Sequence, residues 1–176
     1  FGILYGMGVN ALRQNLGTDR KEAQEFYDSY FAQFTQLAEY LEDTKALARK
    51  QGFTETMFGR RRYFEGIQSS LPFVRAQAER MAINAPIQGT LADIIKIAMK
   101  RVADYLQQEK LGKDVYMVLQ VHDELIFEVK KSALKSFLPA CQEIMESVLT
   151  DEQRNGVPIK VDVKHGPSWG ELKEGI

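Results

Sequence analysis

A single cysteine, Cys141, stands among 176 residues. Without a second thiol there is no internal disulfide, which fits a reducing compartment and makes a cytoplasmic location the expectation. No apolar run approaches the ~18 residues that span a bilayer, so no membrane partner is expected. No signal peptide pattern is present. Neither sign of charge dominates: 23 Lys and Arg against 24 Asp and Glu leave a net charge of -1, which gives no global pointer to a polyanionic partner. Internal repeats and low-complexity linkers are missing, as are P-loop, HExxH and CxxC motifs, and no serine sits in a G-x-S-x-G elbow. What is present suffices for a core with a charged surface, since 44% of the residues are hydrophobic and 27% charged. The length suggests one domain. Phe1 opens the chain where Met is usual, and FGILYGMG is apolar and Gly-spaced, so the chain reads as a piece cut from a longer one.

Periodicity sketches the elements. Residues 1 to 17 carry apolar side chains at helical spacing between glycines, and Phe1 and Tyr5, four apart, would share a helix face. Asp19 and Glu22 have capping-box spacing. From Ala23 to Leu41 apolar residues recur at i, i+3, i+4, which predicts helix over 20 to 50 with room for one break, and Gly52 is a plausible stop. FTETMFGRRRYF (53 to 64) reads as a β-hairpin around Gly59. A helix is expected from 73 to 84, an interruption at Pro86 and Gly89, and a second helix started by Thr90 and Asp93. The buried stripe of that second helix would be Leu91, Ile94, Ile95, Ala98, Val102 and Leu106. Ser132 would cap a helix to about Leu149, kinked at Pro139, and VPIKVDVKHG alternates again.

Residues 115 to 130 change period. One straight strand of that length would reach ~50 Å, well above the usual ~17–20 Å, so a hairpin with His122, Asp123 and Glu124 at its bend is expected. Hairpin turns favour Gly or Asn at positive φ, and neither is here. His and Asp tolerate that region better than most residues, so their presence points to a use for their side chains. Burying a carboxylate costs several kcal/mol unless it is paired or metal-bound. On spacing alone, two readings stay open: a carboxylate turn that binds a divalent cation, and a solvated polar turn.

The other constellations are equally two-sided. Arg60, Arg61 and Arg62 beside Tyr63 and Phe64 suit phosphates, or form a solvated hairpin tip. Arg75, Arg80 and Asn84 suit one helix face, with Gln88 beyond Pro86, in the interruption. Asn and Gln can address base edges or sugars, or simply face water. Cys141 is most simply a small buried hydrophobe. A hydrolase using His122 with Asp123 lacks a visible nucleophile.

Three segments taken together are more specific. FGILYGMG, AERMAINAPIQGTLADIIKIAM and LQVHDELIFEV, in that order and approximate spacing, resemble the C-terminal part of bacterial DNA polymerase I, the A family of DNA polymerases, and GRRRYF fits between the first two. The resemblance covers essentially the whole chain. It implies an α+β fold: an antiparallel palm sheet, built from the 115–130 hairpin and a strand near 158–164, with covering helices and a helical fingers portion. It implies partial fingers over 1–72 and partial palm over 73–176. By the same resemblance Phe1 would lie against the incoming nucleotide and Tyr5 at the templating position. Arg80, Asn84 and Gln88 would touch primer and template, and His122 would lie by the primer terminus. Asp123 would bind catalytic Mg²⁺ with Glu124 as a lesser neighbour. Thr35 stands where the family often has proline.

The resemblance also implies what is missing. The motif A aspartate that completes the two-metal site lies upstream, as do the motif B Arg and Lys that hold the triphosphate. The expected function is template-directed nucleotidyl transfer in replication or repair. Its partners would be primer–template DNA and dNTP. The 176 residues alone are expected to be inactive, to bind DNA weakly and to self-associate along an uncovered sheet edge. The alternative is a free-standing nucleic-acid-binding module that has lost catalysis.

Overall fold

Asp19 starts the first long helix as its sequence suggests: its carboxylate accepts the Glu22 backbone N–H at 2.9 Å. The structure, a computed structural model, describes residues 2–174. Among them are six α-helices and three two-stranded antiparallel sheets, an α+β composition. The chain divides into two compact units, Phe1–Thr90 and Leu91–Ile176.

The first unit holds α1 (Val9–Leu16), α2 (Arg20–Gln33), α3 (Thr35–Gln51), the hairpin of β1 (Phe53–Glu55) and β2 (Arg61–Tyr63), and the beginning of α4 (Pro72–Gln108). The helical stretch from 20 breaks once, at Phe34, and stops at Gly52, whose φ of 84° closes α3 onto the Ala48 carbonyl. Residues 2–6 are not helical: Tyr5 and Gly6 donate to carbonyls three residues back, and Gly6 sits at φ 80°. A single Gly-punctuated turn has too few hydrogen bonds to offset helix nucleation. Phe1 lies outside the described residues.

The interruption expected at Pro86 and Gly89 does not occur, and α4 runs through both. Pro86 removes the N–H that would bond the Ala82 carbonyl, and the Thr54 hydroxyl of β1 points there instead, at 3.4 Å. Thr54 and Ala82 are both buried, so water is no substitute. Thr90 caps nothing; its hydroxyl accepts the Met57 N–H at 3.0 Å. Tertiary partners thus override a local helix-breaking signal. The core here is small-residue packing: Ala78, Ala82 and Ala85 of α4 close against Ala48, Phe64 and Ile67. Arg49 of α3 reaches Glu79 of α4 at 2.6 Å.

The second unit holds the end of α4, β3 (Val115–Val121), β4 (Glu124–Val129), α5 (Leu134–Glu146), α6 (Asp151–Arg154), and a small sheet of β5 (Lys164–His165) with β6 (Lys173–Glu174). Ile95, Ala98, Val102 and Leu106 are buried as expected, against Phe137, Cys141 and Met145 of α5 and Val115 of β3. Leu91, expected in that stripe, is exposed. Burial pushes the Cys141 thiol up to about 11, which keeps it protonated and unreactive at neutral pH. Ser132 does not cap α5; Ala133 stands at the N-cap without a side-chain bond.

The segment near 158–164 does not join the 115–130 hairpin. Its middle is bound instead by α5 side chains. Gln142 donates to the Val161 carbonyl and Glu146 accepts the Val161 N–H, each at 3.0 Å. Two side chains give Val161 the donor and acceptor that a neighbouring strand would supply.

Candidate functional site

The β3–β4 hairpin pairs Val121 with Glu124, which leaves only His122 and Asp123 in the bend. Glu124 is the first residue of β4 rather than part of the turn. His122 takes the left-handed conformation, φ 53°, in the place where glycine is usual. The Gln120 side-chain amide donates to the His122 carbonyl at 2.6 Å and braces the bend. A bulge between Met117 and Leu119 breaks the alternation of β3, strengthens its twist and re-aims the residues beyond it. At the base of the hairpin, the Lys130 N–H donates to the Asp114 carbonyl at 2.8 Å. The two side chains also pair, and Asp114 holds the Lys130 ammonium above the usual lysine range.

His122, Asp123 and Glu124 are all exposed. Neither carboxylate has a hydrogen bond or ion pair among the described residues. Among the described residues no three His, Cys, Asp or Glu side chains gather as a metal cage. The turn presents two exposed carboxylates, which are hard oxygen donors. That donor set fits Mg²⁺, which keeps several waters and takes one or two carboxylates with phosphates completing its shell.

In the first unit, the continuity of α4 changes the reading of its polar series. Arg80, Asn84 and Gln88 lie one turn apart on one helix face, Gln88 included. Arg80 and Gln88 are exposed and Asn84 is half-buried. The Asn84 amide nitrogen donates to the Tyr5 carbonyl at 3.4 Å, and its amide oxygen is buried with no hydrogen-bond partner among the described residues. A buried acceptor without a partner carries a desolvation cost. Gly6 lies so near the helix that a Cβ there would be 2.9 Å from the Ile83 side chain, so residues 5 and 6 lie directly on α4. The Tyr5 side chain is partly exposed. Beside Arg80, a cavity of about 320 Å³ opens among Ile3, Tyr27, Phe31 and Leu41, which the one-dimensional pattern did not indicate. Arg75 turns away from this face, donating to the Ser69 carbonyl at 3.0 Å.

The three arginines of the β1–β2 hairpin have three different surroundings. Arg60 donates to the Gly89 carbonyl at 3.0 Å. Arg61 bonds Glu55 at 2.6 Å and covers the Phe53 ring at 4.6 Å, and Glu55 raises its pKa further. Arg62 lies over Phe64 at 5.6 Å with the Met81 sulfur 3.9 Å away, contacts that leave most of its donors open.

The model of one family, described as DNA polymerase family A, matches residues 1–171. Curated relatives include DNA polymerase I of Rhizobium leguminosarum, 42% identical over 97% of this chain and 17% of its own length. DNA polymerase I of Pseudomonas aeruginosa is 43% identical over 97% of this chain and 18% of its length, and that of Geobacillus stearothermophilus 42% over 98% and 19%. The chain thus spans about a fifth of the length of these relatives. Among solved structures, the POL domain of Pol1 from M. smegmatis, in complex with DNA primer-template and dNTP, aligns with a TM-score of 0.80. It is 40% identical and covers 85% of this chain and 26% of that one.

Proposed function

The chain belongs to DNA polymerase family A, and from that premise we propose that it is part of the catalytic domain of a DNA-directed DNA polymerase that acts in replication or repair. The observation that carries the reading is the hairpin bend: an exposed two-residue turn, with a left-handed His122, that holds out an unpaired Asp123 carboxylate. Asp123 is the residue that would hold Mg²⁺, with Glu124 as a second, weaker oxygen donor. What Mg²⁺ supplies when bound is charge stabilisation at the attacking and leaving oxygens of phosphoryl transfer.

The remaining roles follow from the kind of surface each residue offers. His122, in the same bend, would lie by the primer terminus. Arg80, Asn84 and Gln88 form a face with one cation and two amides, suited to the sugar and base edges of primer and template. Tyr5, whose carbonyl Asn84 holds, would sit at the templating position and guard the nascent pair, and Phe1 would lie against the incoming dNTP. Arg62, the least engaged of its three neighbours, is suited to a phosphate. The carboxylate that would complete a two-metal site, and the cations that would hold the triphosphate, would come from residues other than these 176. The 176 residues by themselves are therefore expected to synthesise no DNA, because lost positioning and lost charge stabilisation each cost several powers of ten.

Primer extension with the full-length protein tests this. Addition only of the dNTP complementary to the template base supports the reading. Tight primer–template binding without any addition identifies a binding module that has lost catalysis.

A further inference from the structure

Arg60 is the residue whose surroundings fit its expected role least. It opens a run of three arginines that suggests a phosphate site, yet its guanidinium reaches back to the Gly89 carbonyl of α4 at 3.0 Å. Two other contacts converge on the same turn of helix. The Met57 N–H donates to the Thr90 hydroxyl at 3.0 Å. The Thr56 methyl lies 2.7 Å from where a Cβ on Gly89 would stand, so only glycine lets the hairpin tip close on the helix.

The tip itself is braced. The Thr56 backbone N–H donates to the Arg60 carbonyl at 2.9 Å, and the Thr56 hydroxyl accepts the N–H groups of Phe58 and Arg60 at 3.3 and 3.2 Å. The docking falls where α4 is locally weakest. Pro86 has removed one helical N–H and Gly89 has poor helix propensity. Gln88 sits between them.

We propose that Arg60 is a positioning residue: with Thr56, Met57 and Gly89 it latches the β1–β2 hairpin onto α4, and so holds Gln88 in line with Arg80 and Asn84. It does not contact DNA phosphate. The inference rests on the reading of that helix face as the primer–template surface. It divides the arginine run into a latch at Arg60, a cross-strand partner of Glu55 at Arg61, and an open cation at Arg62.

Salt dependence separates a latch from a phosphate contact. Each phosphate neutralised contributes a slope of about -0.9 to log affinity against log salt, so losing a phosphate contact makes the line shallower by about that amount. Losing a positioning contact shifts the line without tilting it. Primer–template affinity should be measured across salt for the full-length protein and for Arg60→Met, Gly89→Ala, Gln88→Ala and Arg62→Ala. Hydrogen exchange at the Met57 amide, whose acceptor is Thr90, reports the docking directly.

Arg60→Met and Gly89→Ala are each expected to weaken binding by about three- to tenfold on a line parallel to wild type, and to speed Met57 exchange about tenfold or more. Arg62→Ala should flatten the line and leave that amide unchanged. A shallower line for Arg60→Met overturns the proposal. So does an unchanged Met57 amide in that variant, whatever the binding shows. If Gln88→Ala binds as wild type, the primer–template reading of the α4 face fails, while the Met57 amide still decides whether the latch exists.

Discussion

The Gln120 side-chain amide donates to the backbone carbonyl of His122 at 2.6 Å, two residues on, across the bend that presents Asp123. A strand residue thereby fixes a turn whose first position has the left-handed φ that His adopts at a cost. The bond ties the position of the Asp123 carboxylate to a side chain that itself carries no charge.

Gln120→Ala should loosen this bend without removing any ligand. In the full-length protein, the rate of nucleotide addition is expected to fall by about three- to tenfold, with primer–template affinity within about twofold of wild type. Single-turnover extension beside equilibrium binding measures both. A rate unchanged by the substitution would show that the bend holds itself.

Acid should release the segment around Val161. The Val161 N–H, helped by Gln142 and Lys160, holds the Glu146 carboxyl below the usual carboxylate range. A depressed folded-state pKa means that this stabilisation is present above the unfolded value, ~4.3, and is lost as pH falls through the folded value. Glu146→Gln keeps an acceptor but cannot titrate. Hydrogen exchange at the Val161 amide, compared between wild type and Glu146→Gln at each pH, should show extra protection in wild type at neutral pH and none in strong acid. A difference that persists at the lowest pH contradicts the assignment.

The isolated 176-residue chain should self-associate. Among the described residues β3 pairs only with β4, no strand pairs with its other edge, and Tyr116, Val118 and Leu119 are exposed at 51%, 44% and 48%. An open apolar edge recruits another strand, and a second copy supplies one. Sedimentation equilibrium over a range of concentrations decides this. A strict monomer at high concentration would show that the edge is blunted by its own bulge and twist.

Much of this architecture was legible from periodicity. The helix from 20 with its break, the stop at Gly52, the two hairpins and the stripe from Ile95 to Leu106 all follow from local spacing and turn chemistry. Two of the failures share a cause. Pro86 and Gly89 signal a break, but Thr54, Arg60 and Thr56 come from 30 or so residues away to compensate for it, and no window along the chain contains both sides. The stretch through Val161 has strand alternation, yet its backbone bonds go to Gln142 and Glu146, a partnership set by where α5 lies. The site divides in the same way. A bend at His122 could be read from the strand lengths, whereas the brace from Gln120 and the separate surroundings of Arg60, Arg61 and Arg62 depend on tertiary packing.

The most direct test of the whole account is Asp123→Asn in the full-length protein, assayed for primer extension with Mg²⁺ and for primer–template binding. The substitution keeps the size of the side chain and the conformation of the bend while replacing a carboxylate by an amide, a poor Mg²⁺ ligand. Nucleotide addition is expected to fall by at least about a thousandfold, with DNA affinity within about threefold of wild type. Extension near the wild-type rate would contradict the assignment of Asp123 as the metal-binding residue of a polymerase site.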